Sequence, residues 1–383
     1  MKQPKIRFKR FSGEWKTSRL DACVDFLDNL RQPIDAKRRI KGIYPYYGAS
    51  GIVDYVYDYI FDEELILLSE DGANITDRTY PVCFLAKGKY WVNNHAHVLK
   101  SKEGFVNAFI SNAMEHKDYS LYNTGMAMPK LNKEVCKRIP LTYPSKEEQQ
   151  DIADYFQHLD SLIQSTAKKI ESLKQVKAAS LQSMFPQEGE TSPRVRFKGF
   201  EGEWNEYALG TLFGERCESD IDAEMLSVTI NQGIIKASEN GRFDSSNSDK
   251  SKYKLVRIGD IAYNSMRMWQ GACGCSPYEG IVSPAYTVVV PQNNVCSLFF
   301  YYMFKTNRML NTFRLNSQGL TSDTWNLKYP IFSKLRVFCP ETIEEQQTVS
   351  AYFKSLDSQI TLQSQRLEKL KQIKSACLDN MFV

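Results

Sequence analysis

The chain lacks any apolar run near the ~18–20 residues that a membrane-spanning helix requires, so no such span is expected in its 383 residues. The N-terminal stretch Met1-Lys2-Gln3-Pro4-Lys5-Ile6-Arg7 is basic but has no apolar segment behind it, which argues against a secretory signal. No glycine-rich dinucleotide fingerprint and no phosphate-binding loop occurs, so nucleotide binding by those routes is not expected. Charge of one sign is scarcely in excess, with 49 basic residues against 45 acidic. Such a balance does not by itself argue for nucleic acid, and any DNA binding must come from local patches. Only four histidines are present. The nine cysteines, among them Cys23, Cys83, Cys136, Cys217 and Cys377, are odd in number and scattered. That suits reduced thiols in a cytoplasm better than a disulfide framework. A hydrophobic content of 42% with 25% charged residues excludes disorder throughout. The length is roughly two and a half times that of a ~150-residue domain, which predicts two or more domains.

What the chain does have is a repeat. Pro4-Lys5-Ile6-Arg7-Phe8-Lys9-Arg10-Phe11-Ser12-Gly13-Glu14-Trp15 returns as Pro193-Arg194-Val195-Arg196-Phe197-Lys198-Gly199-Phe200-Glu201-Gly202-Glu203-Trp204. A longer block runs from Glu147-Glu148-Gln149-Gln150 to Met184-Phe185 and returns from Glu344-Glu345-Gln346-Gln347 to Met381-Phe382. Tyr155-Phe156 matches Tyr352-Phe353, Leu159-Asp160-Ser161 matches Leu356-Asp357-Ser358, and Leu173-Lys174-Gln175 matches Leu370-Lys371-Gln372. The chain is a tandem duplication in which each copy reads short strap, variable region, long helix. Residues 16–145 and 205–342 share no run that aligns.

The back block carries acidic residues at its start (Glu147, Glu148, Asp151) and lysines later (Lys168, Lys169, Lys174, Lys177), the polarity that suits a helix dipole. Pro144 and Pro340 lie upstream and Pro186 follows the first copy as a stop signal. Apolar residues alternate at spacings of four and three: Ile152, Phe156, Leu159, Ile163, Ile170 and Leu173, then Val349, Phe353, Leu356, Ile360, Leu367 and Leu370. Polar interruptions fall at equivalent places, Thr166 with Gln363 and Lys177 with Lys374. This is a heptad seam, and it predicts two helices packed on each other. The alternative is an amphipathic helix lying on its own domain. At about 39 residues, each would be roughly 58 Å long.

The variable regions read as mixed α/β. Strands are expected over residues 52–61, over Leu65-Ile66-Leu67-Leu68, and at Tyr90-Trp91-Val92. In the second copy they are expected over 225–230, 253–258 and 281–290, with one helix over 298–310. The polar linker Gln187-Glu188-Gly189-Glu190-Thr191-Ser192 reads as mobile.

Catalytic signatures are mostly missing. An amino-methyltransferase needs a polar-Pro-Pro-aromatic loop to hold a flipped base. The nearest match, Ser283-Pro284-Ala285-Tyr286, lacks the second proline and falls inside an apolar strand. Asp35-Ala36-Lys37 is half of a metal-dependent nuclease pattern, or simply a solvated basic loop with Arg38-Arg39-Ile40-Lys41. His95 and His97 are spaced to share one strand face, where they either bind a metal or do structural work. Cys273-Gly274-Cys275 lacks zinc-knuckle spacing, and no metal is expected. Clusters of guanidinium, amide and indole groups remain. Arginine reads guanine, and asparagine or glutamine reads adenine, through paired hydrogen bonds. The candidate DNA-contacting residues are Asn74, Asn93, Asn94, His95, His97 and Lys130 in the first copy. In the second they are Asn264, Arg267, Trp269, Gln270, Asn316, Ser317 and Gln318. Each cluster is equally readable as a hydrogen-bonded loop.

The repeated Arg-Phe…Gly-Glu-Trp straps, the Glu-Glu-Gln-Gln helix starts and the two dissimilar regions between them resemble the specificity (S) subunit of type I restriction-modification enzymes, over essentially the whole chain. The segments from Tyr46-Tyr47-Gly48 to His97 and from Gly259-Asp260-Ile261 to Tyr286 look like two recurring types of recognition domain. The resemblance implies an α+β protein with two mixed α/β target recognition domains and two long helices in an antiparallel coiled coil, related by an internal pseudo-twofold repeat. It implies the division 1–145 (first recognition domain), 146–186 (first helix), 187–192 (linker), 193–342 (second recognition domain) and 343–383 (second helix). It implies a non-catalytic, cytoplasmic subunit that reads a bipartite, asymmetric site in double-stranded DNA. Two methyltransferase subunits and ATP-driven restriction subunits would be its partners. S-adenosylmethionine, ATP and Mg2+ would sit on those partners, with no cofactor on this chain and no membrane. Two other readings stand beside it. A self-sufficient DNA methyltransferase is disfavoured by the missing motifs, and a coiled-coil scaffold presenting two protein- or glycan-binding domains would show no salt-dependent DNA binding.

Overall fold

A computed structural model of the chain describes residues 3–220, 222–240 and 250–383; of the N-terminal run above, Met1 and Lys2 lie outside the described residues. Two compact units emerge, and only one of them is a continuous stretch of chain. One comprises residues 1–168 and 364–383; the other comprises 169–363. The division cuts both long helices, Lys146–Ser183 and Ile343–Met381, so each unit holds the front of one helix and the back of the other.

Within the first unit these helix halves run antiparallel. Asp160 accepts from Lys374 at 2.5 Å, Tyr155 meets the Cys377 sulfur at 3.3 Å, and Phe156 packs on Phe382 with ring centroids 5.8 Å apart. The second unit repeats the pattern with the roles exchanged: Lys177 with Asp357, Ser180 with Tyr352 at 3.0 Å, and Phe185 on Phe353 at 5.8 Å. The seam lysines thus satisfy their charge on the repeated Leu-Asp-Ser aspartates, which is how polar residues persist on a packed stripe. Ile152, Phe156, Leu159 and Thr166 are buried in the first unit, as are Ile170, Val349, Phe353 and Leu356 in the second. Ile163, Leu173, Ile360, Leu367 and Leu370 are half-buried.

The two conserved sequence blocks turn out to be the two sides of one contact. In the first unit the Arg7 guanidinium grips the buried Glu148 carboxylate through two bonds of 2.7 and 2.8 Å, and its third arm reaches the Gly13 carbonyl at 2.7 Å. In the second, Arg196 grips Glu345 through two bonds of 2.6 Å and also reaches the Gly202 carbonyl. Planar guanidinium matches carboxylate two-for-two, so the pairing orients the strap as well as holding it. The next residue fastens the domain. Gln149 accepts from the Val106 amide and donates to the Pro144 carbonyl; Gln346 does the same with Cys296 and Pro340. The strap also reaches the helix end delivered by the other copy, Ile6 to the Asn380 carbonyl and Val195 to that of Ser183, each at 2.9 Å.

The variable regions, unalike in sequence, share a framework. After each strap a short strand pairs antiparallel with one just before the long helix: Lys16–Arg19 with Pro140–Tyr143, and Asn205–Ala208 with Arg336–Cys339. Each unit then has a four-stranded antiparallel sheet of the same order. The first runs Val24–Phe26, Ala96–Ser101, Leu65–Ser69, Cys83–Ala86, and the second Phe213–Glu215, Tyr286–Pro291, Ile261–Asn264, Cys273–Cys275. Leu65–Ser69 is buried along its whole length, as its unbroken apolar pattern requires of a central strand. The helices Asn107–Glu115 and Ser297–Phe304 pack on these sheets in the two cores. The first unit adds a second four-stranded sheet containing Lys41–Gly48 and Gly51–Val56. The second unit adds a hairpin, Leu226–Thr229 with Gly233–Lys236, and the pair Lys254–Val256 with Gly280–Val282.

Four expectations change. The strand expected over 52–61 is two, Gly51–Val56 and Phe61–Asp62, with residues 57–60 outside any strand. The strand expected over 281–290 is two strands, because Pro284 lacks an amide hydrogen for the ladder and Ser283-Pro284-Ala285 turns between them. The helix expected over 298–310 breaks at Thr306, whose extended backbone and hydroxyl cap a new helix, Asn307–Asn316. The linker 187–192 is anchored rather than loose: Arg308 donates to the carbonyls of Gln187 and Glu190, each at 2.9 Å.

Candidate nucleic-acid interface

The equivalent sheets place equivalent loops. Where the central strand ends, Leu131 donates to the Glu70 carbonyl at 2.7 Å, and Leu327 donates to that of Ser265 at 2.8 Å. Thr124 donates to the Lys130 carbonyl just as Gln318 donates to that of Asn326. These bonds align residues 70–78 with 265–271 and residues 121–131 with 315–327. Both units then carry a helical turn closed by a left-handed residue, Arg78 after Asn74–Asp77 and Gly271 after Met268–Gln270. Both also present a fully exposed apolar side chain just after a glycine, Met126 after Gly125 and Leu320 after Gly319. Most of the candidate residues fall on this one loop cluster, yet the chemistry on it differs between the units.

In the first unit the cluster is mixed in charge. Nδ1 of the exposed His95 lies 2.9 Å from both Asp71 oxygens, and Lys130 lies 3.6 Å from Glu70. Asn94 is exposed. Asn74 turns inward: its amide donates to the Tyr80 carbonyl at 2.9 Å and accepts from the Tyr80 amide at 2.7 Å, stapling its own loop. Asn93 is buried and accepts from the His95 amide at 2.8 Å.

His97 does not share a face with His95. His95 sits in the turn before the strand Ala96–Ser101, whereas His97 lies on that strand with only 1% of its surface exposed. Its Nδ1 meets Asp28 at 2.9 Å and its Nε2 meets the Leu131 carbonyl at 2.8 Å. Both partners accept, so both ring nitrogens must carry hydrogen and the ring is an imidazolium. Burial opposes that charge, but the Asp28 hydrogen bond and the neighbouring Cys136 sulfur outweigh it and lift the pKa to about 10. Asp28 is correspondingly held below its ordinary value: burial opposes this, and His97, the Val98 amide and Arg31 overcome it. Arg31 also binds Glu70 at 2.7 Å. His97 therefore supports the loop from beneath and has no edge to offer a base. Among the described residues no group of three histidine, cysteine or acidic side chains could hold a metal ion.

In the second unit the cluster is amide-rich. Asn264 accepts from the Met266 amide at 3.0 Å and shapes the turn that exposes Arg267. Trp269 donates to the Met266 carbonyl and stands edge-on to Trp325 at 5.3 Å. Gln270 is half-buried beside them. Asn316 ends its helix and donates to the Thr312 carbonyl, while Ser317 donates to that of Phe313, so both serve the chain locally. Gln318 is exposed. Sequence reasoning missed Asn231 and Gln232, which face Asn264, Arg267 and Gln270 across a cleft. Only the hairpin pairing brings them there, and nothing local to their own segment signals it.

A family model described as the type I restriction modification DNA specificity domain matches residues 12–175 and again 203–372. The chain belongs to that family. It is accordingly a type I specificity subunit, of a family that recognises DNA sequence and is itself non-catalytic. A putative type I restriction enzyme specificity subunit of Haemophilus influenzae is 34% identical over 39% of this chain, a match spanning only 38% of that relative's length. The specificity subunit of the MjaVIII type I restriction enzyme of Methanocaldococcus jannaschii is 19% identical over 97% of this chain and 92% of its own. The crystal structure of a type I restriction-modification S subunit from M. genitalium covers 100% of this chain and 99% of that one. Its TM-score is 0.67 at 13% identity, so the likeness extends to the fold alone. Among the described residues of this specificity subunit no helix is long and apolar enough to cross a membrane.

Proposed function

We propose that this specificity subunit reads a bipartite, asymmetric site in double-stranded DNA, one half with residues 1–145 and the other with residues 193–342. The helices 146–186 and 343–383, joined by the linker 187–192, would serve as the frame. One observation carries the reading: the same loop cluster is built twice on the same sheet, with different side chains on it. Acidic Glu70 and Asp71 stand where the second unit has Ser265 and Met266, and Ala73 precedes the helical turn where Arg267 precedes its counterpart. A shared scaffold with unlike reading groups fits two unlike half-sites, because base edges are told apart by the donors and acceptors set against them. His95, Asn94 and Lys130 are the contacting groups proposed in the first unit; Asn264, Arg267, Trp269, Gln270 and Gln318 are those in the second.

Two methyltransferase subunits and the restriction subunits would assemble on this chain in the cytoplasm. They would bring S-adenosylmethionine, ATP and Mg2+, while this chain supplies address rather than chemistry. Replacing residues 205–342, which lie wholly within one unit, by those of another family member tests the reading. Genome-wide methylation mapping should show one half-site changed and the other kept. Both halves changing together would contradict it.

A further inference from the structure

The second unit carries a cleft of about 770 Å³ whose walls are built before any ligand arrives. One wall is the turn Asn264–Gln270; the other is the tip of the hairpin, where Asn231 and Gln232 project. The hairpin tip is shaped by Thr229, whose hydroxyl accepts from the Gln232 amide at 2.9 Å and donates to the Gly233 carbonyl at 3.1 Å. Behind it the backbones touch so closely that a Cβ on Gly274 would meet the Ile234 nitrogen at 2.6 Å. Lys305 ties the walls together, donating to the Ile230 carbonyl at 2.9 Å on one side and to the Gly271 carbonyl on the other. Burial lowers the pKa of this ammonium.

Into this cleft comes Arg267. Its main chain is fixed, its amide donating to the Asn264 carbonyl at 3.0 Å and its carbonyl accepting from Gln270 and Ala272. Among the described residues its guanidinium has no ion pair and no carboxylate lines the cleft. Its guanidinium donates to the Gln270 amide oxygen at 3.4 Å. Arg308 and Arg314 are likewise without a carboxylate, held on main-chain carbonyls and on Asn311, but other arginines of this unit are paired. Arg216 is locked on Asp260, Arg257 on Glu218 and Arg196 on Glu345. A guanidinium without a carboxylate partner, beside four amides in a preformed polar cleft, suits a planar partner with two adjacent acceptors. Guanine shows that pair, N7 and O6, on its major-groove edge.

Resting on the DNA-recognition reading above, we propose that this cleft takes the major-groove edge of a G·C pair, with Arg267 as the residue that specifies guanine in the second unit's half-site. Gln270 steers the guanidinium, and Asn231 and Gln232 close the far side. Ala73 opens the equivalent turn in the first unit, so the first half-site does not depend on this contact.

The test uses the chain together with its methyltransferase subunit in a host whose genome is mapped for methylation. Arg267→Gln and Arg267→Lys should each relax one guanine position in one half-site by about 5- to 150-fold, the range for a lost bidentate pair. Every position of the other half-site should keep its discrimination. A second measurement leaves the protein intact: duplexes carry 7-deazaguanine, which lacks the N7 acceptor, at each guanine in turn. Methylation by the unmutated complex should fall at the relaxed position alone, and Arg267→Lys should be indifferent there. Arg267→Gln with full discrimination would mean that the guanidinium does not read a base and would overturn the proposal. So would a second half-site without guanine, or one in which no 7-deazaguanine matters. If the methylated motif persists when the chain is deleted, the DNA-recognition reading fails and this inference with it.

Discussion

Residue 382 lies at the far end of the chain from the first recognition domain, yet the structure assigns it to that domain's core. Phe382 is 7% exposed and packs its ring on Phe109 at 5.5 Å and Phe156 at 5.8 Å. Its counterpart Phe185 is 1% exposed and packs on Phe299, Phe353 and Trp204 in the second unit. Truncating a buried phenylalanine to alanine typically costs 3–5 kcal/mol, the value depending on how far the site can collapse. Phe382 is the less completely buried of the two, so Phe382→Ala should cost about 3 kcal/mol. Phe185→Ala, hemmed in by three rings, should cost nearer 4–5 kcal/mol. Hydrogen exchange read by mass spectrometry locates the damage. Phe382→Ala should speed exchange in the first unit's helix Asn107–Glu115 by about 100-fold, since each 1.4 kcal/mol is a factor of ten. Phe185→Ala should act instead on Ser297–Phe304. If Phe382→Ala loosened 297–304 as much as 107–115, the exchange of helix halves between the units would be refuted.

Removing Arg7 should destabilise the first unit by about 3–5 kcal/mol, because Glu148, 2% exposed in its side chain, would be left as an unpaired buried carboxylate. Adding Glu148→Gln should recover much of the loss in a urea double-mutant cycle. The His97–Asp28 pair predicts a pH window. His97 is raised, so its contribution is complete below its unfolded pKa of about 6.5 and is lost as pH climbs towards about 10. Asp28 is lowered, so its contribution is present above about pH 4 and lost as pH falls through its native value. Urea midpoints should therefore be highest near pH 4–6.5 and should decline above it, and His97→Gln should flatten that alkaline decline. A fragment of residues 1–185 should form a homodimer, since its own Lys177 and Phe185 can stand in a second copy where Lys374 and Phe382 stand in the intact chain. Sedimentation should show the dimer, and aspartate at Leu159 or Ile163 should abolish it by placing charge in the seam.

The frame was legible because duplication wrote it twice. Arg7 with Arg196, Glu148 with Glu345 and the alternating seam all stand out by comparing the chain with itself, and the structure joins them in contacts of matching geometry. What stayed hidden was which copy each helix end would serve. The heptad gives packing without partner, and only the assembled contacts put Met184-Phe185 and Met381-Phe382 into opposite units. The common sheet was equally hidden, since a buried strand constrains polarity and size rather than identity. Val24–Phe26 and Phe213–Glu215 hold the same edge position with no identical residue at any matched place. Of the candidate contacts, those chosen for polarity alone divided by burial. His97 and Asn93 were absorbed into the interior and Asn74 into its own loop, while Arg267, Gln270 and His95 remained at the surface. Periodicity along a strand told His95 and His97 to share a face; the turn between Asn94 and His95 set the strand start one residue later and separated them.

The most direct test of the central claim is a methylation map of a host carrying the methyltransferase subunit, recorded with and without this chain. The account predicts a single motif in two unlike halves that vanishes when the chain is removed. A palindromic motif, or one that survives without the chain, would contradict it.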